Sequence, residues 1–444
     1  MIQTSSEFDV RNAVLGKKPI YVFAIGGQDR VYTTHDLTAE GVTGTVPEYR
    51  AWLKTPQGAT QSIDVLNGQS SIGELELEVI EQNGEMRTLV GGTTLEGKRA
   101  VLSIGYPGMA YENFVVLHTY QLYKIMPSKT YTSWLFCARD QQLVEKRTIY
   151  THPANGNVID GSNPWILQGT PAEIMQAVYL WGLDRSAAEL DRTTLLQLDS
   201  GAEGFYKAVR PFFFQMTEAF EAKQFLETEI YKCAGLYPVV DNLGRLSVRG
   251  FRPPVAGPAS VFTFSQDNMV VLPEIDRMSL VNELVFQIDY TDGDFQNELV
   301  FVEGTSISTY GRSGQNVIES KGLRTELGAQ WFCEEVATRI FRRFAGTPEG
   351  LRGGAPVYSI EAFLLTLPVW AGDYVYVSHS LMPDILTGSL GVTNRIMEVI
   401  DREPDFANGR MKYKLLDTGL TGLQPAHKWA ASNRDFIIGT SEIY

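Results

Sequence analysis

The sequence predicts an α+β fold that is mostly β: two β units, the first a small barrel or sandwich, with an α+β unit inserted between them. Three observations carry this. Short apolar/polar alternating runs, punctuated by Gly, Pro, Asn and Asp, fill residues 20–125. Helical periodicity with capping signals enters only after about residue 130. A second dense β pattern then occupies 355–418. The expected boundaries are 1–129 for the N-terminal β unit and 130–252 for the inserted α+β unit. A linker, a β-hairpin and a long helix take 253–350, the C-terminal β unit 351–420, and a C-terminal arm 421–444.

In chain order, Ile20–Ile25 and Val31–His35 read as strands joined by the turn Gly26-Gly27-Gln28-Asp29. Gly73–Glu81 is the clearest strand, because Leu75, Leu77 and Val79 alternate with Glu74, Glu76 and Glu78, so one face enters a core. Asn83-Gly84 ends it. Ala100–Gly105 and Phe114–Ile125 continue the pattern around the turn Tyr106-Pro107-Gly108, and Tyr131–Ala138 adds one more β stretch.

Thr170-Pro171-Ala172-Glu173 combines an N-cap, a proline at the first helical position and a glutamate that reaches back. The helix it opens is expected to bury Ile174, Val178 and Trp181 or neighbours. A second helix, about Glu218 to Ala234, places Ala219, Ala222, Leu226, Ile230 and Cys233 on one stripe and stops at Gly235. Leu236–Val240 and Arg245–Arg249 form a hairpin on Asp241-Asn242-Leu243-Gly244, and Arg252–Pro258 reads as a linker. Leu284–Tyr290 and Glu298–Glu303 flank Thr291-Asp292-Gly293-Asp294 as another hairpin. The helix Gly328–Ala345 buries Cys333, Ala337, Ile340 and Phe344 and ends at Gly346, with Pro348 beyond it.

Composition narrows the function classes. At 444 residues the soft expectation is about three domains. The longest apolar runs fall far short of the ~20 residues that a membrane-spanning helix needs. The N-terminus has neither a basic start nor an apolar core, so the chain is expected to be made in the cytoplasm without a secretory signal. Net charge is −14, and stable binding to nucleic-acid phosphates needs a basic surface instead. The one dense basic cluster, Arg339, Arg342 and Arg343, sits at a helix C-terminus, where cations offset the macrodipole.

No constellation for catalysis, cofactor or metal stands out. His35, His118, His152, His379 and His427 are scattered, and so are Cys137, Cys233 and Cys333, which read as buried apolar thiols. Neither a G-x-S-x-G elbow nor a phosphate-binding glycine loop occurs. Asp292-Gly293-Asp294 with Glu298, and Asn155 through Asn163, carry oxygen ligands but lack the glycine of a calcium loop and read as turns. Paired carboxylates from distant positions would leave no local trace.

The order of features nonetheless resembles the bacteriophage tail baseplate hub (tail-tip hub) proteins. The resemblance rests on Pro19–Phe23 through Gly73–Leu77, on the helix end and hairpin of Leu236–Arg249, and on Leu272–Asp276 leading to Asn282–Val285. The turn Tyr310-Gly311-Arg312, the long helix, the strand around Gly372-Asp373 and Leu415–Gly419 complete it. It is one of order and texture across most of the chain. It implies two tail-tube-like barrels per chain, a homotrimer, and six barrels meeting a six-fold tube.

The implied partners are a distal tail or tail-tube protein, tail-tip or fibre proteins, and the tape-measure protein. DNA would pass through without stable binding, and the protein would be located in the virion tail. Some related hubs carry cysteine-bound iron–sulfur clusters; three dispersed cysteines do not support one here. The glutamate face of Gly73–Glu81 would either line such a channel or form a solvated outer face. A tail-associated cell-wall or polysaccharide hydrolase and a receptor-binding module remain as alternatives.

Overall fold

The computed structural model describes residues 4–14, 18–64, 66–71, 73–191, 209–250, 262–311, 314–345, 354–385 and 388–421. The fold is α+β and mostly β, as its composition of alternating runs dictates. The expected linker at 252–258, Gly346 and Pro348, and the arm beyond 421 lie outside the described residues.

The first sheet contains β1 (Ile20–Ile25), β2 (Arg30–Thr33) and β3 (Glu48–Arg50). Two short strands, β4 (Gln61–Asp64) and β5 (Gln69–Ser70), leave it. It resumes with β6 (Glu74–Ile80), β7 (Arg99–Gly105), β8 (Val115–Pro127) and β9 (Ser133–Arg139). The strand order is β3-β2-β1-β7-β8-β9-β6. The sheet curls until its ends meet: the Leu53 N–H donates to the Thr33 carbonyl beside β3, and the Lys54 N–H donates to the Glu78 carbonyl of β6. Both edges are thereby covered, which removes the exposed ladder of an open sheet. Leu75, Leu77 and Val79 point inward against Phe23, Leu102 and Phe136, while the glutamates between them face out. Gly84 opens a helix, Glu85–Gly92, that the sequence reading passed over.

The middle unit contains β10 (Thr148–Ile149), β11 (Trp165–Gly169), β12 (Phe212–Met216), β13 (Phe220–Glu221), β14 (Leu236–Val240) and β15 (Leu246–Gly250). The capping box is present: Glu173 N–H donates to Thr170 Oγ1 at 3.2 Å, and Thr170 N–H donates to Glu173 Oε2 at 2.8 Å. Ile174 and Val178 are buried as expected, but Trp181 is 65% exposed. The reason is a change of period. The helix becomes a π-helix over Ala177–Gly182, and Leu183 N–H bonds back five residues to Val178. The inward place passes to Tyr179.

The second helix begins at Ala222, later than its periodicity suggested, because Phe220–Glu221 pairs with Thr148–Ile149 and leaves Ala219 exposed. Ala222, Leu226, Ile230 and Cys233 form the buried stripe, and Gly235 ends the helix with φ +63°.

β16 (Thr263–Ser265) and β17 (Met269–Arg277) open the third region. β18 (Glu283–Thr291), β19 (Asp294–Val302) and β20 (Gln315–Glu319) form a separate sheet of order β19-β18-β20. Its hairpin turn, Asp292-Gly293, has both residues at positive φ. The helix Ala329–Phe344 buries Phe332, Cys333, Val336, Ala337, Ile340 and Phe344. These residues join Leu284 and Phe286 in one core with the middle unit.

The last sheet is built on β21 (Pro356–Phe363), β22 (Tyr374–Asp384), β23 (Ser389–Asp405) and β24 (Arg410–Thr421), in the order β16-β22-β23-β24-β21-β17. β16 and β17 stand at opposite ends of that order, yet only residues 266–268 separate them. So short a connection requires a sheet curled nearly full circle. Register shifts in β22, β23 and β24 supply the bends. β4 crosses from the first sheet to pair with β23, and the two curled sheets share one continuous apolar core.

Candidate interaction surfaces

The glutamate row of β6 is not a bare anionic wall. Glu74 Oε1 pairs with Arg139 Nη2 at 2.5 Å, and Glu78 Oε1 pairs with Lys54 Nζ at 2.6 Å. Lys54, and then the Ser133 hydroxyl, hold the Glu78 carboxyl below its usual range. The Arg139 guanidinium also lies 4.1 Å over the Tyr123 ring. A surface of alternating sign is suited to water or to a polar neighbour, and only weakly to repelling phosphates.

Apolar exposure concentrates elsewhere. On the outer face of β19-β18-β20, Val300 and Val317 stand in register on either side of the buried Val285. Val300 is 51% exposed, Val302 52% and Val317 37%. Glu283, Gln287, Glu298 and Glu319 flank them in the same register. β19 and β20 are the two edges of that sheet among the described residues, each without a further strand paired to it. At the far end of the β22–β23 hairpin, Leu381 and Leu390 are each 71% exposed. Trp181 borders a groove of about 320 Å³ with Ile166 and Leu180, and the Arg210–Glu173 ion pair closes one side. None of these was legible as a surface from the sequence, since each depends on which neighbour covers the other face.

A larger cavity, about 510 Å³, separates the first sheet from the β14–β15 hairpin. Asn113, Val116, Asn242, Arg245, Arg249 and Trp370 line it. Asn242 donates to the Val116 carbonyl at 2.8 Å, and Arg249 pairs with Asp373 at 2.8 Å, so the cavity is pinned by contacts that join all three units.

Titratable groups gather at a buried cluster where β9 hands over to the middle unit. Glu145 is fully buried, its carboxyl oxygens have no hydrogen-bond partner, and burial pushes it up to about 8. Burial likewise raises Asp140 to about 6. Lys223, Arg185 and Glu227 surround them, with Lys223 Nζ 2.7 Å from Glu227. Carboxyls in this range suit proton transfer. Both are sealed from solvent, however, so no substrate reaches them without the cluster opening.

The remaining candidates resolve into structure. Asp292-Gly293 is the hairpin turn, and Asp294 Oδ1 accepts from its neighbour Phe295. Asn155 to Asn163 is a loop held by its own bonds, including Asn155 to Asn163 at 2.8 Å and Ser162 N–H to Asp160 at 2.8 Å. No group of three or more His, Cys, Asp or Glu that could hold a metal occurs among the described residues. Cys137, Cys233 and Cys333 are buried free thiols. Burial, then the neighbouring Cys233, raises the Cys333 thiol, so two cysteines far apart in sequence share one helix contact. No helix is long and apolar enough to cross a membrane among the described residues. His118 is fully buried, His35, His152 and His379 lie at loop or strand positions, and His427 lies outside the described residues.

No protein-family model matches this sequence, and no curated protein does. Among solved structures, the chain is similar to the 43 kDa tail protein of prophage MuSo2 from Shewanella oneidensis. Identity is 12%, with 90% of this chain and 99% of that one covered, at a TM-score of 0.46. It is also similar to a tail protein from Neisseria meningitidis MC58, at 12% identity, 90% and 97% coverage and a TM-score of 0.44. Prophage tail protein gp18 from Listeria monocytogenes EGD-e is similar at 9% identity, 90% and 94% coverage and a TM-score of 0.44.

Proposed function

We propose that this chain is a structural protein of a phage tail, a homotrimeric hub that joins the tail tube to the tail tip and encloses the exit channel. The observation that carries the reading is the pair of curled, mainly antiparallel sheets fused through one core. Two such units per chain and three chains per ring supply six equivalent positions, which is what a six-fold tube presents. A heterologous contact of this kind closes only if its rotation closes.

In this reading, the valine face of β18–β20 and the Leu381–Leu390 hairpin end are covered by neighbouring copies or by tail-tube and tail-tip proteins. The tape-measure protein and genome pass through the ring, and a chain of net charge −14 gives phosphates little to hold. The hub acts without turnover. Quantitative mass spectrometry of purified particles tests this, with three copies per particle expected. A chain absent from particles, or one that cleaves peptidoglycan when purified, overturns the proposal.

A further inference from the structure

A group of buried polar side chains lies in the seam between the two curled sheets. Arg402 of β23 is fully buried. Its Nη2 reaches the Leu367 carbonyl at 3.4 Å, while Nε and Nη1 have no hydrogen-bond partner. His118 of β8 is fully buried as well, and neither ring nitrogen is bonded. The Tyr120 hydroxyl and Gln61 Oε1 are buried, and neither has a hydrogen-bond partner of full geometry, although the Gln61 side chain lies beside the hydroxyl.

These groups share one space. Gln61 and Arg402 stand directly opposite in the β4–β23 pairing. His118 and Tyr120 lie two residues apart on β8, with ring centroids 5.0 Å apart. Trp370 ties the two sides: its ring lies 5.6 Å from His118 and 4.6 Å from the Arg402 guanidinium. The nearby carboxylates are committed elsewhere. Asp373 binds Arg249 and the Trp370 N–H, and Asp140 accepts from the Gly73 and Gln142 N–H groups.

A buried guanidinium with open N–H groups is costly unless something satisfies it. What remains open here is mostly donors: two Arg402 nitrogens, the N–H of a neutral imidazole, and a phenol O–H. Unpartnered donors beside one buried positive charge select a small negative ion over a cation or a large ligand. We propose that the seam binds one small inorganic anion of halide size, chloride in ordinary buffers, held by Arg402, His118 and Tyr120. The anion is then a component of the joint between the two curled sheets. The site is independent of the hub assignment, because it rests on contacts within one chain.

Bromide is the probe. A crystal of the full chain grown in bromide is expected to show one anomalous peak between Arg402, His118 and Tyr120. In solution, replacing gluconate with chloride at constant ionic strength is expected to raise the melting temperature saturably, by roughly 2–5 °C. Arg402→Gln is expected to abolish that dependence. Should this variant fail to fold, Tyr120→Phe, which removes one donor and no charge, is expected to raise the half-saturating chloride concentration several-fold. Ordered waters in place of the bromide peak, peaks confined to the outer surface, or equal melting in chloride and gluconate would overturn the proposal.

Discussion

The two curled sheets both carry ion pairs at the surface, but only the second also buries one among the described residues. In the first, the interior is apolar, with Phe23, Leu75, Leu77, Leu102 and Phe136 filling it. Its ion pairs, Arg30–Glu48, Lys54–Glu78 and Arg139–Glu74, sit at the surface. In the second, Arg395 is buried with Asp384 at 2.7 Å and Asp417 at 4.0 Å, and Glu398, fully buried, accepts from the Tyr237 hydroxyl at 2.8 Å. The first sheet is held by area removed from water, so damage to it scales with the volume lost. The second shares that apolar core but adds buried charged partners, so removing one member strands the other in a low dielectric.

That contrast orders the expected effects of mutation. Asp384→Ala leaves Arg395 without its closest carboxylate and is expected to cost about 3–5 kcal/mol; urea unfolding followed by near-ultraviolet circular dichroism reads it. A loss below about 1 kcal/mol would erase the distinction between the sheets. Leu77→Ala in the first sheet is expected to cost about 3 kcal/mol, set by the cavity it leaves. Lys54→Ala, which breaks a surface pair only, is expected to change stability by roughly 0–1 kcal/mol.

The cluster joining the first sheet to the middle unit adds a dependence on pH. Glu145 rises from its ordinary 4.5 to about 8 on folding, so the folded chain binds a proton there that the unfolded chain releases. Its contribution is fully present below about 4.5 and is lost as pH rises through about 8. The loss is on the order of 5 kcal/mol. Lys223 and Arg185 facing it oppose the rise, while Asp140 and Glu227 reinforce it. Melting scans from pH 5 to 9 are expected to fall in this window, and Glu145→Gln to flatten them. Unchanged slopes in that variant would remove Glu145 from the explanation. Among the smaller expected effects, Thr170→Ala removes the capping bond of the middle unit, at a cost of about 1 kcal/mol.

Much of the local structure was legible because it depends on neighbours in sequence. The alternation of Leu75, Leu77 and Val79, the Thr170–Glu173 box, and the turn at Asp292-Gly293 each specify their element from within a few residues. What escaped depends on long-range pairing. Closure of the first sheet through Leu53 and Lys54, and the crossing of β4 onto β23, leave no periodic trace. Trp181 turned outward because a π-helix shifts the phase that a 3.6-residue reading assumes. The seam was invisible for a related reason. Arg402 lies in Ile400-Asp401-Arg402-Glu403, which reads as a solvated strand, and only the packing of a second sheet over it makes it interior.

In the proposed hub, two fused barrel-like units let three chains match a six-fold tube. A reconstruction of the intact particle by electron cryomicroscopy is the decisive measurement. The expected result is a closed ring of three copies at the end of the tail tube, with six curled sheets around one axis and the valine face of β18–β20 covered by a neighbour. A single copy on the axis, six copies in one layer, or a position away from the tube would contradict it.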